Sequence, residues 1–212
     1  MLISKKMNVA INEQIDNEFA ASLQYVAIAA HFAAESLTEL AAKFYKQAEE
    51  ERDHAMRFVK FVVEAGGRVE IPAIAAPKSS FKSVEEAVKL SLDQEKTVTG
   101  QINALVELSI KTSDHITQNF LSWFIREQLE EVSSMENLLK VVQRAGENNL
   151  LYVEEFLSRH RGRLSSVRIS AEGEVKECLI AGLLIAPAFL LCNATVSGNI
   201  AAWASRRSNS NK

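Results

Sequence analysis

GGRVEIPAIAAPKSS, from Gly66 to Ser80, is the stretch on which the fold turns. Its paired glycines end a helix, and Pro72 and Pro77 keep the backbone beyond them extended. At up to about 3.3 Å per residue the segment reaches roughly 50 Å. Around it the chain runs without glycine or proline from Ser4 to Ala34, from Ser36 to Ala65, from Ser83 to Thr99 and from Thr112 to Ala145. Apolar residues recur there at steps of three and four, the helical period, so four long helices are predicted. Each holds about thirty residues, or roughly 45 Å at 1.5 Å per residue, a length the extended segment is able to travel. The first and second helices are separated by a few residues only, as are the third and fourth, so each pair is expected to be antiparallel. The third helix then begins back at the end where the second began. The chain is expected to be all-α: an up-down four-helix bundle with one long crossover between its second and third helices.

Local signals refine the ends. Ser36 with Glu39, and Ser83 with Glu86, have the spacing of a capping box and mark two helix starts. Gly66 and Gly146 mark two stops. Gly100 interrupts the third pattern, but Ile102, Leu105 and Leu108 carry the apolar period on to about Lys111. A short fifth helix, from about Asn149 to Arg159, places Leu150, Val153 and Phe156 on one face.

Composition narrows the class. A chain of 212 residues with 47% hydrophobic content buries a substantial core, and its net charge of −3 gives no basic field for nucleic acid. The opening MLISKKMNVAINEQ lacks the apolar core of a secretory signal. Cys178 and Cys192 both lie far down the chain, so the main body is expected to hold neither a disulfide nor a thiolate-bound metal. A cytoplasmic protein follows, whose metal chemistry rests on oxygen and imidazole.

The functional signal lies within the apolar stripes. On the first helix Ile11, Ile15, Glu18, Ser22, Tyr25, Ala29 and Phe32 share a face; on the second, Phe44, Glu51, His54, Phe58 and Val62. The third runs Val88, Leu92, Glu95, Thr99, Ile102, Val106, and the fourth Phe120, Phe124, Glu127, Gln128, Glu131, Leu138. Every helix puts a carboxylate into its buried stripe near its midpoint, and antiparallel packing brings the midpoints to one level. An isolated buried carboxylate costs on the order of several kcal/mol unless it is paired or metal-bound. No lysine or arginine occupies these stripes. Cations are the natural neutralisers, and oxygen with imidazole suits iron and manganese. A single glutamate of this kind is as readily a solvated one, but four coincident mid-helix positions are not.

NEFAASLQY (Asn17 to Tyr25), EEERDHA (Glu49 to Ala55), LDQE (Leu92 to Glu95) and WFIREQLEE (Trp123 to Glu131), together with the spacing between them, make residues from about 5 to 160 resemble the non-haem bacterial ferritins. The resemblance implies a ferritin-like bundle in residues 1–160. It also implies iron storage with ferroxidase activity, in which Fe(II) is oxidised by dioxygen and Fe(III) is kept as a mineral inside a homo-oligomeric, twenty-four-subunit shell. Carried over position by position, it implies a first iron site of Glu18, Glu51 and His54. Glu51 would bridge to a second site completed by Glu95 and Glu131, with Gln128 close by. Glu50, Glu127 and Glu130 match the ligands of a third iron site, and Tyr25 matches a tyrosine that hydrogen-bonds near the di-iron centre and supplies an electron. Tyr25 is equally well read as a packed bundle residue, and Trp123 as core. Asp114, at the start of the fourth helix, matches a channel position; His115, His31 and His160 read as surface residues.

Two departures bear on haem. The position three after Glu127 is Glu130 rather than histidine, and Arg52 follows Glu51 where haem-containing bacterioferritins place a methionine, so no haem is expected. A rubrerythrin-like peroxidase shares the carboxylate bundle but carries a paired-cysteine module that this spacing does not provide. A DNA-protecting mini-ferritin places its ligands between subunits, and a metal-free helical scaffold needs no buried carboxylates. Residues 161–212 are read as a C-terminal extension of uncertain structure. Within it, Cys178 to Cys192 (CLIAGLLIAPAFLLC) is apolar and uncharged, but it falls short of the about twenty residues a spanning helix needs and is broken by Pro187, so no membrane association is expected.

Overall fold

The computed structural model describes residues 1–160; residues 161–212, with the apolar run and the predicted extension, lie outside the described residues. Four long helices follow one another: α1 (Lys5–Ala34), α2 (Thr38–Glu64), α3 (Val84–Lys111) and α4 (His115–Ala145). A 3-10 turn, Glu147–Asn149, leads into α5, residues 150–160. No strand occurs among the described residues. The period-based reading holds for all four helices, and α3 does pass through Gly100 to Lys111.

α1 packs along α2, α3 along α4, and α1 against α3. The core falls into two clusters that fix the directions of the helices. One gathers Ile28 and Phe32 from the end of α1, Leu40 and Phe44 from the start of α2, Val84 and Val88 from the start of α3, and Leu138 and Val142 from the end of α4. The other gathers Met7 and Ile11, Phe58 and Val62, Ile102 and Leu105, and Leu121 and Phe124 from the opposite ends. The second and third helices therefore begin at the same end of the bundle, as the crossover reading requires. Each helix enters one cluster, passes a polar stretch at its middle, and enters the other.

The crossover is fastened to α1 by amide side chains that imitate strand pairing. Asn8 Nδ2 donates to the Arg68 carbonyl while Arg68 N donates back to Asn8 Oδ1, at 3.0 and 2.9 Å. Asn12 does the same with Arg68 O and Glu70 N, and Gln24 with both backbone groups of Lys78. From Asn8 to Gln24 the helix rises roughly 24 Å, a distance that the ten residue steps from Arg68 to Lys78 cover as open chain, with a reach of about 33 Å, but not as helix, with about 15 Å. Gly67 is fitted to this contact, because a Cβ there would collide with the Asn8 side chain.

The helix ends correct one expectation. Ser36 does not cap α2. It sits in the left-handed region (φ 61°) and closes α1, with Ser36 N donating to Ala33 O at 3.1 Å and Leu37 N to Phe32 O at 2.9 Å, the paired bonds of a Schellman turn. α2 has no side-chain cap of its own. Glu154 of α5 supplies one, its two oxygens accepting from Glu39 N and Leu40 N at 2.8 and 2.9 Å. At α3, Ser83 does accept from Glu86 N, but the Glu86 carboxylate turns to Lys82 N and Lys78 Nζ instead of returning to Ser83, so half of the box forms. α4 begins at His115, capped by Asp114, whose carboxylate accepts from Thr117 N and Oγ1.

Candidate metal centre

The polar middle of the bundle is where the carboxylates meet. Glu18 of α1, Glu51 of α2, Glu95 of α3 and Glu131 of α4 each lie within a turn of the midpoint of their helix. Their exposures are 0%, 0%, 1% and 4%, and that of His54 is 3%. Ligand atoms within 4.8 Å of one another join Glu18, Glu51 and His54 in one group and Glu51, Glu95 and Glu131 in a second. Glu51 is common to both. A third group joins His54 and Glu131 with the half-buried Glu127.

Hydrogen bonding divides each carboxylate in two. Gln14 Nε2 donates to Glu18 Oε1 at 2.9 Å, Gln47 Nε2 to Glu51 Oε1 at 3.0 Å and also to Glu131 Oε2, and the Tyr25 hydroxyl to Glu95 Oε1. The other oxygen of every carboxylate, together with His54 Nδ1, is buried with no hydrogen-bond partner. His54 Nδ1 stands 3.3 Å from Glu51 Oε2 and 3.9 Å from Glu18 Oε2, and Nε2 stands 4.0 Å from Glu131 Oε1; the first is out of line for a hydrogen bond and the other two are too long. Buried polar atoms are ordinarily paired. Four free oxygens and a ring nitrogen converging in one apolar enclosure are a donor set that fits divalent cations of the iron and manganese kind.

The electrostatics agree. Burial, and then the charge of Glu51, push Glu18 and Glu131 well above the usual carboxylate range and Glu95 up to about 8. Burial also acts to raise Glu51, but His54 beside it and the Gln47 amide outweigh burial and hold it below its usual range. Burial, followed by the nearby charge of Glu95, keeps the Tyr25 phenol protonated far beyond its ordinary range. Of the four carboxylates, the one held below its usual range is Glu51, the residue that both groups share.

Other sequence-derived candidates fall as follows. Gln128 is buried, and its Oε1 accepts from Thr99 Oγ1 at 3.0 Å. Glu50 pairs with Lys46 at 3.3 Å and Glu130 is exposed; neither joins a ligand group, so only Glu127 of the expected third set is brought to the centre. Trp123 is half-buried, edge-on to His54 with ring centroids 5.4 Å apart, under the Arg57 guanidinium at 4.0 Å. Asp114 serves as the cap of α4, His115 is exposed, and His31 and His160 are half-buried. Gln14 and Gln47 were not singled out from sequence. Their signal was there: each lies four residues before a site glutamate, on the same face of its helix.

A family model described as Ferritin-like domain matches residues 8–145. Ferritin BfrB of Mycolicibacterium smegmatis is 42% identical over 157 residues, 74% of this chain and 86% of that protein. The bacterial non-heme ferritin of Staphylococcus aureus is 37% identical over 155 residues, 73% of this chain and 93% of its own length. Among solved structures, an open pore ferritin from the archaeon Archaeoglobus fulgidus superposes with a TM-score of 0.71 at 35% identity, covering 74% of this chain and 98% of that one. With a centre of this composition in a bundle of this connectivity, and with these relatives, the chain belongs to the ferritin family.

Proposed function

We propose that this protein takes up ferrous iron as substrate, oxidises it with dioxygen at the paired carboxylate centre, and stores the ferric product as a mineral inside a shell of its own copies. The observation that carries the proposal is the set of buried oxygens without a hydrogen-bonding side chain, one from each of Glu18, Glu51, Glu95 and Glu131, gathered with His54 in the middle of the bundle. In this reading Glu18, Glu51 and His54 hold the first ion, and Glu51, Glu95 and Glu131 the second. Gln128 stands beside them, and Glu51 keeps the pair together. Hard oxygen donors favour the ferric over the ferrous state and so assist electron loss. Tyr25 supplies an electron to the centre in this reading, which its hydroxyl's hydrogen bond to Glu95 supports. A third ion on the inner side would use Glu127 with Glu50 and Glu130. Arg52, following Glu51, supports a protein without haem, and the absorption spectrum of the purified protein should lack a Soret band.

This reading places the protein in the cytoplasm as a twenty-four-subunit homo-oligomer. Among the described residues no helix is long and apolar enough to cross a membrane. Two measurements on the purified full chain test the proposal together: native mass with iron content, and oxygen consumption on mixing with anaerobic Fe(II). A large assembly that consumes dioxygen and retains iron is expected; a protein that neither binds Fe(II) nor consumes dioxygen would refute it.

A further inference from the structure

The oxygens left free at the centre are selected by the donors that hold the others. Gln47 does the most of this work. Its side chain is 6% exposed, and its one amide nitrogen serves two ligands on two helices, Glu51 Oε1 on α2 and Glu131 Oε2 on α4. The oxygens it does not hold, Glu51 Oε2 and Glu131 Oε1, are the partnerless ones, and Glu51 and Glu131 are two of the three residues in the group completed by Glu95. Gln14 does the same for one ligand only, Glu18.

We propose that Gln47 is the positioning residue of the second cation position: by holding the outer oxygens of Glu51 and Glu131 it presents their inner oxygens together, and it ties α2 to α4 across the centre. Without it the two carboxylates lose their common donor, each is free to turn, and the second position has no fixed pair of oxygens. The first position keeps Glu18, fixed by Gln14, and His54, and so depends on Gln47 less. Outer partners that orient metal ligands in this way are typically worth about 10–100-fold in metal affinity.

The inference rests on the reading that this centre binds divalent cations, and the experiment separates the two. Anaerobic titration of the metal-free full chain with Co(II), followed by visible absorption and by calorimetry, counts the positions and reports the ligand geometry of each without any oxidation. The parent protein should bind two equivalents per subunit at the buried centre with two distinguishable spectra, ahead of any weaker equivalent at Glu127, Glu50 and Glu130. Gln47→Met, which keeps the length and removes the donor, should weaken the second equivalent by about tenfold or more and change its spectrum, and weaken the first by less. Gln14→Met should spare the second equivalent. A second equivalent weakened less than tenfold in Gln47→Met would overturn the inference, whereas a parent protein that binds no Co(II) would overturn the proposed function itself. Circular dichroism establishes folding of each variant. Should Gln47→Met fail to fold, Gln47→Asn, an amide too short to span both carboxylates, applies the same criteria.

Discussion

Glu51 differs from the other three site carboxylates in being held below its usual pKa range and in belonging to both ligand groups. Glu51→Ala should therefore abolish rapid Fe(II) oxidation by more than about a hundredfold, since losing a shared ligand exceeds the roughly 10–100-fold cost of losing an outer partner. The bundle should still fold, because the two apolar clusters that hold the four helices together lie on either side of the centre and do not include Glu51. Stopped-flow absorbance with an unchanged fast phase would contradict the assignment. Glu95 supplies a pH dependence. Its pKa is about 8 in the folded protein against an ordinary 4.5, so the stability it lends the metal-free protein is complete below about pH 4.5 and is lost as pH rises through about 8. Filling the centre with redox-inert Zn(II) at pH 7 should accordingly release protons, and Glu95→Gln should release about one fewer per subunit. An indicator-dye titration giving equal release from both proteins would contradict this. The buried carboxylates of the centre were legible in the sequence because a glutamate in an apolar stripe is an anomaly that demands a cause. Gln14 and Gln47 were not, because a buried amide on a helix face is unremarkable until its partner is seen.

At the scale of elements, the helices followed from period and punctuation, while the turns between them did not. Ser36 and Ser113 occupy left-handed positions, φ 61° and 53°, where a glycine would ordinarily announce the end of a helix. Ser113 N donates to Ile110 O and Asp114 N to Ser109 O at 3.1 and 2.8 Å, closing α3 as Ser36 and Leu37 close α1. Serine pays a steric penalty there that glycine does not, so Ser113→Gly, at an exposed turn, should stabilise the protein by about 0.5–1 kcal/mol, read as a rise in melting temperature; a fall would mean that the serine is favoured by contacts between subunits. The cap of α2 was equally hidden, because it comes from Glu154, more than a hundred residues along the chain. Glu154→Ala removes a charged acceptor from two free amides at a helix N-terminus and should cost about 1–2 kcal/mol. It should also loosen the start of α2, which hydrogen exchange at Glu39 and Leu40 would register; unchanged exchange there would show that water replaces the cap at no cost.

For the whole molecule, the division of the core into two apolar clusters by a polar belt means that the bundle closes twice, once on each side of the centre. Residues at both ends of all four helices belong to one cluster or the other, and α5 joins the first through Val153. The crossover adds a third constraint along α1 through Asn8, Asn12 and Gln24. Every one of these contacts lies within residues 1–160, and so do all the proposed ligands and the two glutamines that orient them. A chain ended after Arg163 therefore retains both clusters, the crossover, α5 and the Glu154 cap. On the function proposed above it should fold, and it should assemble and oxidise Fe(II) to the same extent as the full chain, and removing the apolar run from Cys178 to Cys192 should raise solubility. Native mass measurement and iron loading of the shortened chain test this directly. Assembly and loading equal to those of the full chain are expected. Dissociated subunits or an insoluble product would mean that residues beyond 163 supply part of the core or of the contact between subunits, and that the self-sufficiency of the two clusters does not extend to the shell.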